Sequence, residues 1–202
     1  MAKLDVNIII IDDDRKFEDD PFVEELKEIY EDVIFFNNSQ DGLDYIEKQI
    51  DQEMIVVLDL GFAYNMPDGH EVLRRIREMT SLIPVIIWSG KDEDKEVFAD
   101  LIENRAFAFI KKSASTEELL DIIKKAYDYM QSNISNVIEE WIKGHPEEAK
   151  EQRFLTSTDG KDYTLNDVLK EIRLQTEFGL GIEKSINKLT IDLLMRNKEK
   201  LQ

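Results

Sequence analysis

The sequence predicts a doubly wound α/β fold, a five-stranded parallel sheet with helices on both faces, over residues 1–129, and a mainly helical extension over residues 130–202. Three observations predict it. From Val6 to about Tyr129 short β-branched runs alternate with amphipathic stretches, the pattern of parallel strands joined by crossover helices. Three of the runs are almost wholly apolar, as in strands buried on both faces. After Tyr129 the strand-like runs give way to helical spacing.

Taken in order, the strands are expected at "VNIIIID" (Val6 to Asp12), "VIFF" (Val33 to Phe36), "MIVVLD" (Met54 to Asp59), "PVIIWS" (Pro84 to Ser89) and "AFAFI" (Ala106 to Ile110). The first helix starts near Pro21 and carries Phe22, Leu26 and Ile29 on one face, with Asp19, Asp20, Glu24 and Glu25 near its N-terminus, where the dipole favours anions. Ser39 can cap the second helix, and Asp68 or Gly69 opens the third, in which Val72, Leu73 and Ile76 recur at helical spacing. The fourth runs from about Glu93 to Glu103. Ser115 and Glu118 form a capping box for the fifth. Beyond it, Ile134, Val137, Ile138, Trp141 and Ile142 make an apolar stripe that ends at Gly144 and Pro146. A turn at Asp159-Gly160 suggests a small hairpin between "RFL" and "YTL". Two last helices, about Leu165 to Glu177 and Ile182 to Lys200, are separated by "FGLG", read as a helix C-cap.

Composition narrows the function. The chain has 202 residues, no cysteine and a net charge of −18, so no disulfide framework is expected. No basic stretch leads into an apolar one at the N-terminus, and the longest aliphatic run, Ile8 to Ile11, is far short of the roughly 20 residues of a membrane span. A cytoplasmic location without membrane attachment is the expectation. Residues 1–129 hold 15 Lys/Arg against 31 Asp/Glu, whereas residues 130–202 hold 11 against 13. The first segment should repel nucleic acid, because Lys and Arg contacts to phosphate supply most non-specific binding.

In an open parallel sheet, ligands bind outside the carboxyl ends of the strands where strand order reverses. The polar residues at those ends are Asp12 and Asp13 after the first strand, Asp59 after the third, Ser89 after the fourth, and Lys111 or Lys112 after the fifth. Carboxylates crowded together resist ionising side by side. A hard divalent cation removes that conflict, and two or three carboxylate oxygens plus waters suit octahedral Mg2+. A carboxylate so placed can attack a phosphoryl group, with the metal and a lysine neutralising the transferring oxygens and the Ser89 hydroxyl donating to one of them.

"IIIIDDD", "VVLDLG" with "MPDGHEVLRRIRE", "PVIIWSGKDED" and "FIKKSASTEEL" together resemble the receiver domain of two-component response regulators over about residues 5–129. The resemblance implies a flavodoxin-like (CheY-like) sheet of order 2-1-3-4-5. It makes Asp59 the phosphoacceptor and places Asp13, Asp59 and the carbonyl of Gly61 on Mg2+, with Asp12 reaching the metal through water. It selects Lys112 over Lys111 by its spacing from an aromatic switch residue, Phe109, and puts Ser89 at the hydroxyl position. Asp14 has no role in that scheme and is assigned to solvent.

Three positions depart from the family pattern. The stretch from Asp59 to Gly69 is two residues longer than usual, the usual Gly-Ala before the fifth strand is Arg105-Ala106, and the usual Pro after the lysine is Ser113. The last removes the inexpensive route to a cis bond, since a non-proline cis peptide costs roughly 3 kcal/mol. His70, at a helix start, and His145, between Gly144 and Pro146, are expected to be idle, and Trp141 is expected to pack.

The resemblance implies phosphoryl transfer from a sensor histidine kinase or phosphotransfer protein, with no enzyme activity beyond self-phosphorylation from a phosphodonor and autodephosphorylation. The output falls to residues 130–202. Its near-neutral charge and apolar stripe favour a helical module that docks a protein partner, with a second copy of the chain as a further candidate, as the face of the fourth and fifth helices shifts on phosphorylation. The alternative is a DNA-binding regulator, with the last two helices as a helix-turn-helix carrying Lys184, Lys188, Arg196, Lys198 and Lys200. The tail's slight excess of acidic over basic residues argues against that footprint.

Overall fold

The structure, a computed structural model, describes residues 3–18, 20–62, 66–90, 95–158 and 160–199, with side chains as far as Leu193. Asp19, the Glu93 start of the expected fourth helix, Asp159 of the turn and Lys200 lie outside the described residues, as do the side chains of Arg196 and Lys198. The chain forms two compact units, residues 1–131 and 132–202.

In the first unit five parallel strands, β1 (Leu4–Ile11), β2 (Tyr30–Phe36), β3 (Met54–Leu58), β4 (Val85–Ser89) and β5 (Ala108–Lys111), alternate with α1 (Pro21–Ile29), α2 (Ser39–Lys48), α3 (Gly69–Met79), α4 (Lys95–Glu103) and α5 (Thr116–Ser132). The sheet order is β2-β1-β3-β4-β5, so order reverses between β1 and β3. Side chains on a strand alternate between faces, and the isoleucine run divides accordingly. Ile8 and Ile10 join Ile55, Val57, Ile86 and Trp88 under α1 and α5. Ile9 and Ile11 join Val56, Leu58, Val85 and Ile87 under α2, α3 and α4. Covering both faces is what permits the near-continuous apolar strands.

Local chemistry sets the element ends, and several differ from expectation. Asp20 caps α1 through Phe22 N, with Pro21 at the first helical position. Asn38, not Ser39, caps α2. Its Oδ1 accepts from Gln40 N and Asp41 N, while the buried Ser39 hydroxyl donates to Pro67 O at 2.6 Å. β2 begins at Tyr30, three residues before the expected "VIFF", because the buried Tyr30 ring joins the α1–α5 core. Asp68 caps α3, and the Ser115–Glu118 capping box forms as expected, with Glu118 N donating to Ser115 Oγ.

In the second unit, α6 (Ile134–Lys143) and α7 (Glu147–Lys150) precede the hairpin β6 (Arg153–Thr156) and β7 (Asp162–Thr164), followed by α8 (Leu165–Arg173) and α9 (Glu177–Glu199). The "FGLG" stretch is no helix end. It lies inside α9, and α8 stops earlier, at Arg173, two residues before Gln175, whose φ of 51° is the left-handed conformation that keeps the helix from continuing. A Cβ at Gly179 would meet Glu171 O at 2.4 Å, so this glycine serves close packing of α9 on α8. Buried polar groups tie the unit together. Arg173 Nη2 and Nε donate to Glu139 Oε1 at 2.6 and 2.9 Å, and Ser135 Oγ donates to the buried Glu183 at 2.6 Å. Trp141 does not pack fully as expected. It is 51% exposed, against His145 and near the half-exposed Phe154. No helix among the described residues is long and apolar enough to cross a membrane.

Candidate functional site

Parallel pairing carries the acids to one edge. Ile11 is in register with Leu58, and Asp59 N donates to Ile11 O at 2.9 Å while Asp12 N donates to Phe36 O at 3.0 Å. The residue following each paired strand end is therefore an aspartate, and Asp12, Asp13 and Asp59 place carboxylate oxygens within 4.8 Å of one another. Asp12 is wholly buried, Asp59 nearly so, and Asp13 is exposed.

On the other side β5 delivers the cation. Ser89 is paired with Lys111, and Lys112 N donates to Ser89 O at 2.8 Å. The Lys112 side chain then lies over the rings of Phe17 and Trp88, with Nζ 4.8 and 5.5 Å from their centroids. Its Nζ is 2.6 Å from Asp12 Oδ2 and 3.2 Å from Asp59 Oδ1. Lys111 is exposed. Strand alternation and the aromatic bed thus bring Lys112, and not Lys111, to the carboxylates.

A cavity of about 290 Å3 opens beside these groups, lined by Asp59, Leu60, Gly61, His70, Ser89, Gly90 and Lys112. Burial pushes both the Asp12 and the Asp59 carboxyls above the ordinary carboxylate range, and Lys112 opposes the shift at each. Gly61 N donates to Asp59 Oδ2 at 3.1 Å. Gly69 explains how α3 can begin so near. A Cβ there would stand 2.2 Å from Asp59 O and 2.6 Å from Leu60 Cα, so only glycine allows this approach.

Phe109 is half-buried on β5 and meets Phe98 of α4 edge-on, with ring centroids 4.9 Å apart. Asp14 is not left to solvent. Its side chain accepts from Lys16 N to cap a 3-10 turn at Arg15–Phe17, and its own N–H donates to Asp12 Oδ1 at 3.0 Å. The third aspartate thereby shapes the loop that aims the first. His70, expected to be idle, lies on the cavity wall, and its Nδ1 is 2.6 Å from Asp100 Oδ2 on α4. Nothing in its spacing could have shown this, because Asp100 approaches from another element.

The donor set fits a hard divalent cation: three carboxylates, all oxygen donors, with the buried Asp12 Oδ2 making no well-directed hydrogen bond although Lys112 is close.

The family model for the response regulator receiver domain matches residues 8–124. The chain belongs to that family. Receiver domains in general carry a phosphorylatable aspartate and bind Mg2+ at an acidic pocket, and they accept phosphate from histidine kinases or phosphotransfer proteins. Among solved structures, the receiver fold here is similar to a CheY-like receiver domain protein from Methanospirillum hungatei JF-1, at 24% identity over 62% of this chain and 95% of that one, with a TM-score of 0.52. It is also similar to a DNA-binding response regulator of the LuxR family from Staphylococcus aureus, at 28% identity over 59% of this chain and 97% of that one, TM-score 0.50. A third is the signal receiver domain of an HD domain-containing protein from Pseudomonas fluorescens Pf-5, at 18% identity over 64% of this chain and 100% of that one, TM-score 0.53. No curated protein sequence matches the chain significantly.

Proposed function

We propose that this chain is a phosphorelay response regulator whose receiver domain takes a phosphoryl group on Asp59 and passes the change to the helical module of residues 132–202. The observation that carries the reading is the bridge made by Lys112 between Asp12 and Asp59, with Asp59, Lys112 and Ser89 lining one cavity. An Asp59 carboxylate oxygen attacks the phosphorus of a phosphohistidine donor, and the breaking P–N bond returns its electron pair to the donor imidazole. Lys112, already held against Asp59, neutralises the incoming oxygens, and the Ser89 hydroxyl donates to one of them. Asp13 and Asp59, with the Gly61 carbonyl, would hold Mg2+ directly and Asp12 through water. The cation supplies neutralisation of charge on the transferring group.

Ser89 and Phe109 are the switch pair in this reading. Phe109 already touches α4 through Phe98, so a rearrangement that displaces the Phe109 ring would be felt by α4. For the output, docking of a protein partner is supported by the cluster of half-exposed Val137, Trp141 and Phe154 on the second unit.

Incubation with a small phosphodonor and Mg2+ should add one phosphoryl group to the wild-type chain and none to Asp59→Asn, read by intact mass. Label that persists in the variant would overturn the assignment.

A further inference from the structure

Resting on the reading of Asp59 as phosphoacceptor, we propose that His70, held by Asp100, is the general base that limits the lifetime of the aspartyl phosphate. Three observations carry it. His70 and Asp59 line the same cavity, so a phosphoryl group on Asp59 projects into a space bounded by the imidazole. The ring is fixed from behind, with Nδ1 2.6 Å from Asp100 Oδ2. An ionised carboxylate can only accept, so Nδ1 carries the hydrogen and Nε2 of the neutral ring is left as the acceptor. The third observation is access. The His70 side chain keeps 32% of its surface exposed and Asp100 46%, so water can reach the pair.

Carboxylate, imidazole and water in series are a general-base arrangement, the acid holding the tautomer and the ring taking the proton. In the proposed step, the water oxygen bonds to phosphorus while the bond from phosphorus to the Asp59 oxygen breaks and its electron pair returns to the carboxylate. Nε2 takes a proton from the attacking water and later yields it to solvent. The products are free Asp59 and inorganic phosphate. Water is the only co-reactant. The arrangement belongs to this chain's own residues: His70 follows the close-approach glycine Gly69, and Asp100 comes from α4. Because Asp100 sits on α4, a partner that moves this helix would also change the phosphoryl lifetime.

The test compares wild type, His70→Ala, His70→Gln and Asp100→Asn after labelling with a small phosphodonor, followed by donor removal and timed intact-mass measurement. All four should take up label, the three variants at least as fully as wild type, which shows the acceptor site intact. His70→Ala should then keep its label on the order of 10²-fold longer than wild type, with Asp100→Asn between the two. Free imidazole should shorten the lifetime in His70→Ala, which has room for it, and not in His70→Gln. A lifetime in His70→Ala equal to that of wild type, or a longer one that imidazole leaves unchanged, overturns the general base while leaving Asp59 as acceptor. Absence of label on wild type overturns both.

Discussion

At Asp12 and Asp59 two opposing influences meet: burial, which raises each carboxyl, and Lys112, which lowers it, with burial the larger. Such groups hold protons more tightly folded than unfolded. As pH rises, the unfolded chain ionises first, in the ordinary carboxylate range, and stability is lost until the folded groups have ionised as well. A divalent cation binds the ionised form and restores what ionisation cost. Mg2+ at neutral pH should therefore raise the unfolding midpoint, by an amount equivalent to about 2.7 kcal/mol at a hundredfold excess over Kd. The increment should shrink as pH falls through the raised values, because protons compete for the same oxygens. Thermal unfolding at matched ionic strength checks this. An equal increment in Asp13→Asn would mean that Mg2+ acts through the general acidity of the surface. The carboxylates, Ser89 and the two candidate lysines were legible in sequence because each directly follows or ends a strand. His70 was not, since its partner lies 30 residues away on a different helix.

Among the elements, the α4–β5 connection shows how a departure from the family pattern is accommodated. Arg105, where the family carries glycine, has a φ of 53°, a left-handed conformation that costs an L-residue roughly 1–2 kcal/mol. Its carbonyl accepts from Arg77 Nη2 at 3.0 Å, and Arg77 also donates to Asn104 O and Ile83 O. Burial, with the neighbouring Arg105 charge second, pushes the Arg77 guanidinium down to about 10. Arg105→Gly relieves the backbone and removes a like charge from Arg77, while the carbonyl that Arg77 needs remains. Against the entropic cost of glycine, the net gain should be roughly 0.5–1 kcal/mol. The check is the urea midpoint at unchanged slope, where a fall would show that the Arg105 side chain contributes more than its backbone costs. The break between α8 and α9 was misread for a related reason. Glycine is a common helix stop, but Gly179 exists to admit the Glu171 carbonyl, and the stop fell to Gln175.

At the scale of the whole molecule, charge separates the two units. The first carries nearly all of the net −18, and the second spends Arg173 and Lys143 on the buried Glu139, which leaves fewer cations for a phosphate backbone. Solved relatives of the receiver include a protein described as DNA-binding, so the matter is worth a direct measurement. The full chain should show no measurable affinity for random duplex DNA even at low salt. Binding that weakens steeply with added salt would instead support a nucleic-acid output.

By itself the sequence determined the alternation of strands and helices, the two-faced burial of the sheet and the acids at its carboxyl edge. These follow from period-2 and period-3.6 patterns that are local to each segment. Only the tertiary structure decided that Lys112 bridges Asp12 and Asp59, that Gly69 admits α3 against the Asp59 backbone, and that His70 and Asp100 meet at the cavity. Those contacts join residues far apart along the chain, and no local pattern encodes the distance between elements.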